Sequence, residues 1–210
     1  MLTTRSACGR SHGFWRRGGS SRARRSRSST TYDLFRERGL ATRLRLVRHA
    51  RADYAWLTGT PEMVDAPLSP QGEAQLPALV ERLRGDPPGY VYVSPTLRTM
   101  ATAHAIASGL GVRPVAWALL CEEAFLHGAP GYGRSELAAR FPLIVLADEI
   151  REEGWTGGRT REDDMPWSRR ARQVLKDLLV RHPREGNDDV LLVTHLAFGV
   201  DLVQEGAAHF

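Results

Sequence analysis

Two short apolar runs, about 145 residues apart, end on the same residue type. Leu44-Arg45-Leu46-Val47-Arg48-His49 runs straight into Arg-His, and Val190-Leu191-Leu192-Val193-Thr194-His195 ends on Thr-His. Short runs rich in Val and Leu are the pattern of buried strands. Each run would deliver a histidine at its C-terminal end. In open α/β sheets that edge is where ligands bind. Two histidines and an arginine gathered there suggest phosphoryl transfer through a histidine.

The chain between the two runs alternates strand-like and helix-like segments. Ser69-Pro70 is a helix cap with proline at the first helical position, followed by Leu76, Leu79, Val80 and Leu83 at helical spacing. Pro77 falls inside that pattern and marks a kink or a later start. Gly85-Asp86-Pro87-Pro88-Gly89 ends the helix. Tyr90–Val93 reads as a second strand, and Ser94-Pro95 as the cap of a helix from Thr96 to Ser108 that Gly109 and Gly111 stop. A third strand is expected within Val112–Leu120, a short helix at Arg134–Arg140, and an amphipathic helix at Trp167–Arg181 with Val174, Leu175, Leu178 and Leu179 inward. Residues 147–166 read as irregular. This alternation argues for a three-layer α/β/α sandwich with a mostly parallel central sheet. Gly206–Phe210 reads as a frayed end, and either the C-terminus is truncated or the sheet is a minimal one, shortened at the C-terminus.

At 210 residues the chain suits one well-buried domain. Its net charge of +5 is a property of the N-terminal segment: residues 1–32 hold eight arginines and no Asp or Glu, leaving about −3 for the rest. Rich in Arg, Ser and Gly, that segment cannot bury enough surface to offset its chain entropy. The expected organisation is a disordered basic tail at residues 1–41 and a catalytic domain at 42–210. The tail has the composition of an organellar transit peptide, or else translation starts further down; the default localisation is cytoplasmic. A nucleic-acid arm is the less favoured reading. No stretch is apolar enough to span a bilayer. Cys8 and Cys121 provide neither a disulfide framework nor metal spacing, which suits a reducing compartment.

Cleaving a phosphate ester through histidine needs a nucleophile, neutralisation of the phosphoryl oxygens and a proton for the leaving alcohol. Neutral imidazole is a competent nucleophile near pH 7. Arginine offers planar, bidentate donors matched to phosphoryl oxygens and stays charged. A carboxylic acid can supply the proton.

Four blocks carry a family resemblance. Leu46-Val47-Arg48-His49-Ala50 resembles the Arg-His-Gly motif that opens the histidine phosphatase (phosphoglycerate mutase-like) superfamily. Asp65-Ala66-Pro67-Leu68-Ser69-Pro70-Gln71-Gly72-Glu73-Ala74-Gln75 is similar to its next block, an aspartate, then Pro-Leu-Ser/Thr, then Gly and Gln. Val93-Ser94-Pro95-Thr96-Leu97-Arg98-Thr99-Met100-Ala101-Thr102-Ala103 is similar to the block that supplies a second phosphate-binding arginine, and Val193-Thr194-His195 to the late Ser/Thr-His motif. The resemblance implies a phosphomonoester hydrolase acting on a small phosphorylated metabolite, with no metal and no cofactor. It makes His49 the nucleophile that becomes phosphorylated, and lines the phosphate pocket with Arg48, Arg98, Thr194 and His195. Glu122, after Leu120-Cys121, matches the family's proton donor; Glu123 is the alternative. The runner-up functions are a mutase-type phosphotransferase and a catalytically weak phosphate-binding protein. Three departures bear on them: Ala50 stands for the usual glycine, and Ala52 and Ala55 replace polar residues of the mutase branch.

Weaker signals read as loops or surface. Gly131-Tyr132-Gly133 lacks the strand and third glycine of a nucleotide loop. His127 and His182 are read as surface residues, Asp163-Asp164 as a solvated loop pair, and Arg134, together with His127, as a candidate leaving-group contact.

Overall fold

A computed structural model describes residues 43–54, 65–122, 131–155, 167–182 and 188–209. The basic tail, Ala55, Glu123, His127 and Asp163-Asp164 lie outside the described residues. Five strands, β1 (Arg43–Arg48), β2 (Tyr90–Val93), β3 (Val115–Ala116), β4 (Val145–Leu146) and β5 (Asp189–Thr194), form one sheet in the order β1-β5-β2-β3-β4. Every pairing is parallel. Five helices accompany it: α1 (Pro70–Arg84), α2 (Leu97–Leu110), α3 (Arg134–Arg140), α4 (Trp167–Arg181) and α5 (Leu196–His209).

The apolar runs are continuous because both faces of the sheet are covered. On one face Val47, Val91, Val93, Leu191 and Val193 pack with Leu83 of α1, Met100, Ala103 and Ile106 of α2 and Leu137 of α3. On the other, Leu44, Leu46, Tyr92, Val190 and Leu192 pack with Ala171, Val174, Leu175 and Leu178 of α4 and Phe198 and Leu202 of α5. Alternate residues of each strand therefore serve opposite layers. Buried Arg45 sits among them because Asp189 pairs with it through both carboxylate oxygens at 2.8 Å and the Asp86 carbonyl takes a third hydrogen bond at 2.8 Å.

Several expectations are met and several corrected. Ser69 caps α1 by accepting from the Gly72 amide, with Pro70 opening the helix, and α1 continues through Pro77. The third strand is short: Pro114 precedes it and has no N–H to donate, and after Ala116 the chain tightens into a 3₁₀ turn at Ala118–Leu120. α2 passes through Gly109 and ends on Gly111, whose φ of 72° is the left-handed geometry of a helix stop. The expected frayed end is helical through His209. Phe198 and Leu202 anchor α5 to the sheet, and Arg172 of α4 ties its last turned carboxylate, Glu205, at 2.9 Å. His182 is buried, not at the surface: Tyr92 Oη and Asp188 Oδ2 each lie 2.9 Å from one of its ring nitrogens. Leu179 is only half-buried, and Ala171 takes the inward position beside Val174.

Candidate active site

Three adjacent strands each present one residue at their C-terminal end. In β1 and β5, Arg48 is level with Thr194, so His49 and His195 emerge side by side, with the His49 amide on the Thr194 carbonyl at 3.0 Å. β2 lies on the other side of β5, and the Ser94 amide bonds the Val193 carbonyl at 3.0 Å. His49, His195 and Ser94 are all buried. The insertion of the last strand between the first two creates the juxtaposition.

The two imidazoles meet edge to face, ring centroids 5.3 Å apart. His49 Nδ1 lies 2.7 Å from its neighbour's carbonyl, Ala50 O. A carbonyl only accepts, so Nδ1 carries the proton and Nε2 keeps its lone pair. Arg98 reaches His195 from the first turn of α2, its Nη2 donating to Nδ1 at 3.2 Å. His195 Nε2 therefore carries the ring's proton and donates to Ser94 Oγ at 2.9 Å. On its far side Arg98 Nη1 donates to Asp65 Oδ1 at 3.4 Å, while Arg98 Nε is buried with no hydrogen-bond partner among the described residues. Arg48 stands exposed at the end of β1.

Charge and burial set the protonation states. Desolvation lowers the His49 pKa to about 4, with the Arg98 and Arg48 charges pushing the same way against the Ala50 hydrogen bond. Burial, then Arg98, His49, Arg170 and Arg48, hold His195 well below the ordinary imidazole value. Burial pushes Asp65 up to about 7, opposed by Arg98 and the Leu97 amide. The result is a pocket of neutral imidazoles and cationic guanidiniums, which matches an anion whose arriving charge replaces lost solvation.

The second sequence block turns out to be a clamp on the loop after His49. The Arg51 carbonyl accepts from the Ser69 amide at 2.9 Å and from Ser69 Oγ at 3.2 Å; the Arg51 amide donates to Gln75 Oε1 at 2.9 Å. Ala52 bridges Leu68 in antiparallel fashion, and Thr102 Oγ1 accepts from the Ala50 amide at 3.1 Å while donating to the Arg98 carbonyl at 2.7 Å.

Asp65 corrects the reading of the third block. Ser94-Pro95 does not cap α2; the Asp65 carboxylate does, accepting the Leu97 amide at 2.9 Å on both oxygens. An anion at a helix N-terminus is favourable, and this one also faces Arg98.

Thr194, expected among the substrate contacts, gives its hydroxyl proton to the Leu120 carbonyl at 2.7 Å. That bond brings the Glu122 segment to the same sheet edge. Arg170 Nη2 holds the Cys121 carbonyl at 3.1 Å, with its guanidinium 4.3 Å over the Phe198 ring. Glu122 Oε1 accepts the Phe198 amide at 3.3 Å in the first turn of α5. Arg134 is no leaving-group contact: it donates to the carbonyls of Leu146, Ala147 and Ile150 at 3.0–3.1 Å. Asp65, Gln75, Ser94 and Thr102 all stand in the blocks quoted above, so their positions were visible and their roles were not. Arg170, in a charge-rich helix start, gives no sequence signal.

A sequence profile of the histidine phosphatase superfamily (branch 1) matches residues 44–200. The chain belongs to that superfamily. Among solved structures, the chain is similar to the ecdysone phosphate phosphatase of Bombix mori in complex with tungstate, at 18% identity and a TM-score of 0.57, covering 77% of this chain and 76% of that one. It also matches a mycobacterial glucosyl-3-phosphoglycerate phosphatase with VO3 (24% identity, TM-score 0.49, 75% and 77% covered). A third match is a phosphoserine phosphatase of Entamoeba histolytica in complex with phosphoserine (17%, 0.49, 79% and 82%). No curated protein matches the sequence. Among the described residues, no helix is long and apolar enough to cross a membrane, and no three His, Cys, Asp or Glu side chains group as a metal site.

Proposed function

We propose that this histidine phosphatase hydrolyses a phosphomonoester of a small metabolite through a phosphohistidine at His49, without a metal. The tautomer of His49 carries the reading: with Nδ1–H held by the Ala50 carbonyl at 2.7 Å, the Nε2 lone pair is available to attack phosphorus. The P–O bond to the alcohol breaks as the N–P bond forms. Arg48 and Arg98 neutralise the phosphoryl oxygens in the transition state, with His195 beside them. Glu122 protonates the departing alkoxide, then takes a proton from the water that attacks the phosphohistidine, releasing phosphate and restoring His49. Thr194 and Arg170 support the segment that carries Glu122.

Buried Ala52, in its bridge with Leu68, offers no side-chain hydrogen bond to a phosphoryl acceptor, which favours water over a mutase's sugar-acid acceptor. The test is p-nitrophenyl phosphate hydrolysis by the full chain with EDTA present, beside His49→Ala. Turnover that survives EDTA and vanishes in the variant, with acid-labile phosphate trapped on the wild-type protein alone, is the expected result. Turnover that persists in His49→Ala would remove the nucleophile assignment, and transfer to an added acceptor alcohol in preference to water would restore the mutase.

A further inference from the structure

Arg98 and His195 touch each other, and each is gripped from behind. Asp65 Oδ1 accepts from Arg98 Nη1 at 3.4 Å, Arg98 Nη2 donates to His195 Nδ1 at 3.2 Å, and His195 Nε2 donates to Ser94 Oγ at 2.9 Å. All four side chains are buried, from fully buried Ser94 to Arg98 at 7% exposure. Ser94 is itself fixed by β2, its amide on Val193 O at 3.0 Å and its carbonyl accepting Thr99 Oγ1 at 2.6 Å.

A neutral imidazole has one proton to place. If it moved to Nδ1, an N–H would point at the guanidinium N–H of Arg98, and two donors would face each other. Arg98 would then have to turn away from the ring. A serine hydroxyl can accept from Nε2–H or donate to a bare Nε2, so Arg98 decides the tautomer and Ser94 holds the ring in place by bonding the Nε2–H that results. Resting on the reading of Arg98 as a phosphoryl contact, we propose that Ser94 is a positioning residue: its bond to Nε2–H holds the His195 ring in the orientation from which Nδ1 receives and aims Arg98. Asp65 holds the opposite edge of the guanidinium, so two of its nitrogens are engaged and Nε is left as a buried donor. Ser94 touches no reacting atom and acts through His195.

Long-range proton–nitrogen NMR of the ring nitrogens tests this, with the His195 signals assigned by their loss in His195→Gln. In the anion-free wild type, His195 Nε2 should show a protonated and Nδ1 an unprotonated nitrogen shift near pH 7.5. Ser94→Ala should leave Nε2–H without its buried acceptor, move the Nε2 resonance, and weaken orthovanadate binding about tenfold, the loss expected for one buried hydrogen bond's worth of misplacement. Ser94→Thr, which keeps the hydroxyl, should restore both. A wild-type His195 protonated on Nδ1 overturns the proposal, and so does a Ser94→Ala protein with unchanged ring shifts and unchanged vanadate affinity. Both readouts are independent of turnover, so a wild type that binds vanadate in the expected tautomer yet hydrolyses nothing would overturn the hydrolase reading and support the Ser94 assignment.

Discussion

The carbonyl oxygen of Arg51 occupies the place where a Cβ on Gly72 would stand. The loop that follows His49 thus lies directly on the first turn of α1, and only a residue without a side chain lets the two backbones meet. Gly72→Ala must push α1 off the loop, since the obstacle is backbone and cannot rotate away. The expected cost is about 2 kcal/mol, or a fall of roughly 4–8 °C in Tm, with a loss of kcat because Ala50 and His49 shift with the loop. Thermal unfolding and p-nitrophenyl phosphate kinetics check it. A variant with wild-type Tm and rate would show that α1 can give way freely.

That contact explains what was legible in the sequence and what was not. β1, β2, β5, α1, α3 and α4 followed from apolar periodicity and cap residues, because those are local signals; β4, only two residues long, carries no periodicity to read. His49, His195 and Arg98 stood out through the resemblance of their blocks to the family motifs; a strand end or a helix start alone gave Arg98 and His195 no role. Gln75 and Asp65 were visible as residues and mute as to role: their partners, Arg51 and Leu97, stand 24 and 32 positions away, joined only by the packing of α1 and α2. The helix from Leu196 to His209 was missed because its tail lacks polar caps, and it is held by Arg172 from another helix.

Arg48 and Arg98 should separate activity from stability. Arg48 is exposed at the end of β1, so Arg48→Ala removes charge at little cost to the fold. Its kcat should fall by about 10²–10³, as when a preorganised donor is lost, with Tm nearly unchanged. Arg98→Ala takes the same rate penalty and also strips Asp65 and His195 of their buried partner, a cost of about 3–5 kcal/mol. Denaturant midpoints beside kcat for the two variants decide the matter. Equal destabilisation by both would contradict the burial difference.

The lowered pKa of His49, about 4, sets the acid side of the rate profile. On the proposed mechanism a nucleophilic His49 attacks only with Nε2 unprotonated, and kcat/KM reports the free enzyme. After allowance for the substrate's second ionisation near pH 6, the acid limb should therefore fall near pH 4 and not near the ordinary value of 6.5. Measurement of kcat/KM from about pH 3.5 to 7.5 tests it. A limb at the ordinary histidine value would mean that the pocket is more solvated than its geometry indicates.

The same shifts carry opposite signs in folding stability. Between pH 6.5 and about 4 the unfolded chain takes up a proton at His49 that the folded chain refuses, so stability rises with pH across that window, by at most about 3 kcal/mol. His195 adds in the same sense. Asp65 acts the other way: the folded chain keeps until about pH 7 a proton that the unfolded chain releases near 3.8, so its contribution is full below 3.8 and lost as pH rises. Asp65→Asn removes the opposing part, and its stability should climb more steeply between pH 4 and 6.5 than the wild type's. Urea midpoints at three pH values would show this, and a parallel wild-type profile would sink it.

Glu122 accepts the Phe198 amide from the first turn of α5 at 3.3 Å, at the sheet edge where His49 and His195 emerge. A proton donor in such a place delivers its proton only when the leaving oxygen is basic enough to take it. Glu122→Gln should therefore leave p-nitrophenyl phosphate almost untouched, since that phenolate departs without help. With an alkyl phosphate the same variant should lose about 10²–10⁴ in kcat, the usual range for general acid catalysis. Removing the carboxylate also frees the α5 N-terminus of an anion, so Tm should fall by roughly 1–3 °C whichever substrate is used. Comparing the two esters in one variant separates the chemistry from that structural effect. An equal loss on both would take the proton-donor role away from Glu122 and leave it as the cap of α5.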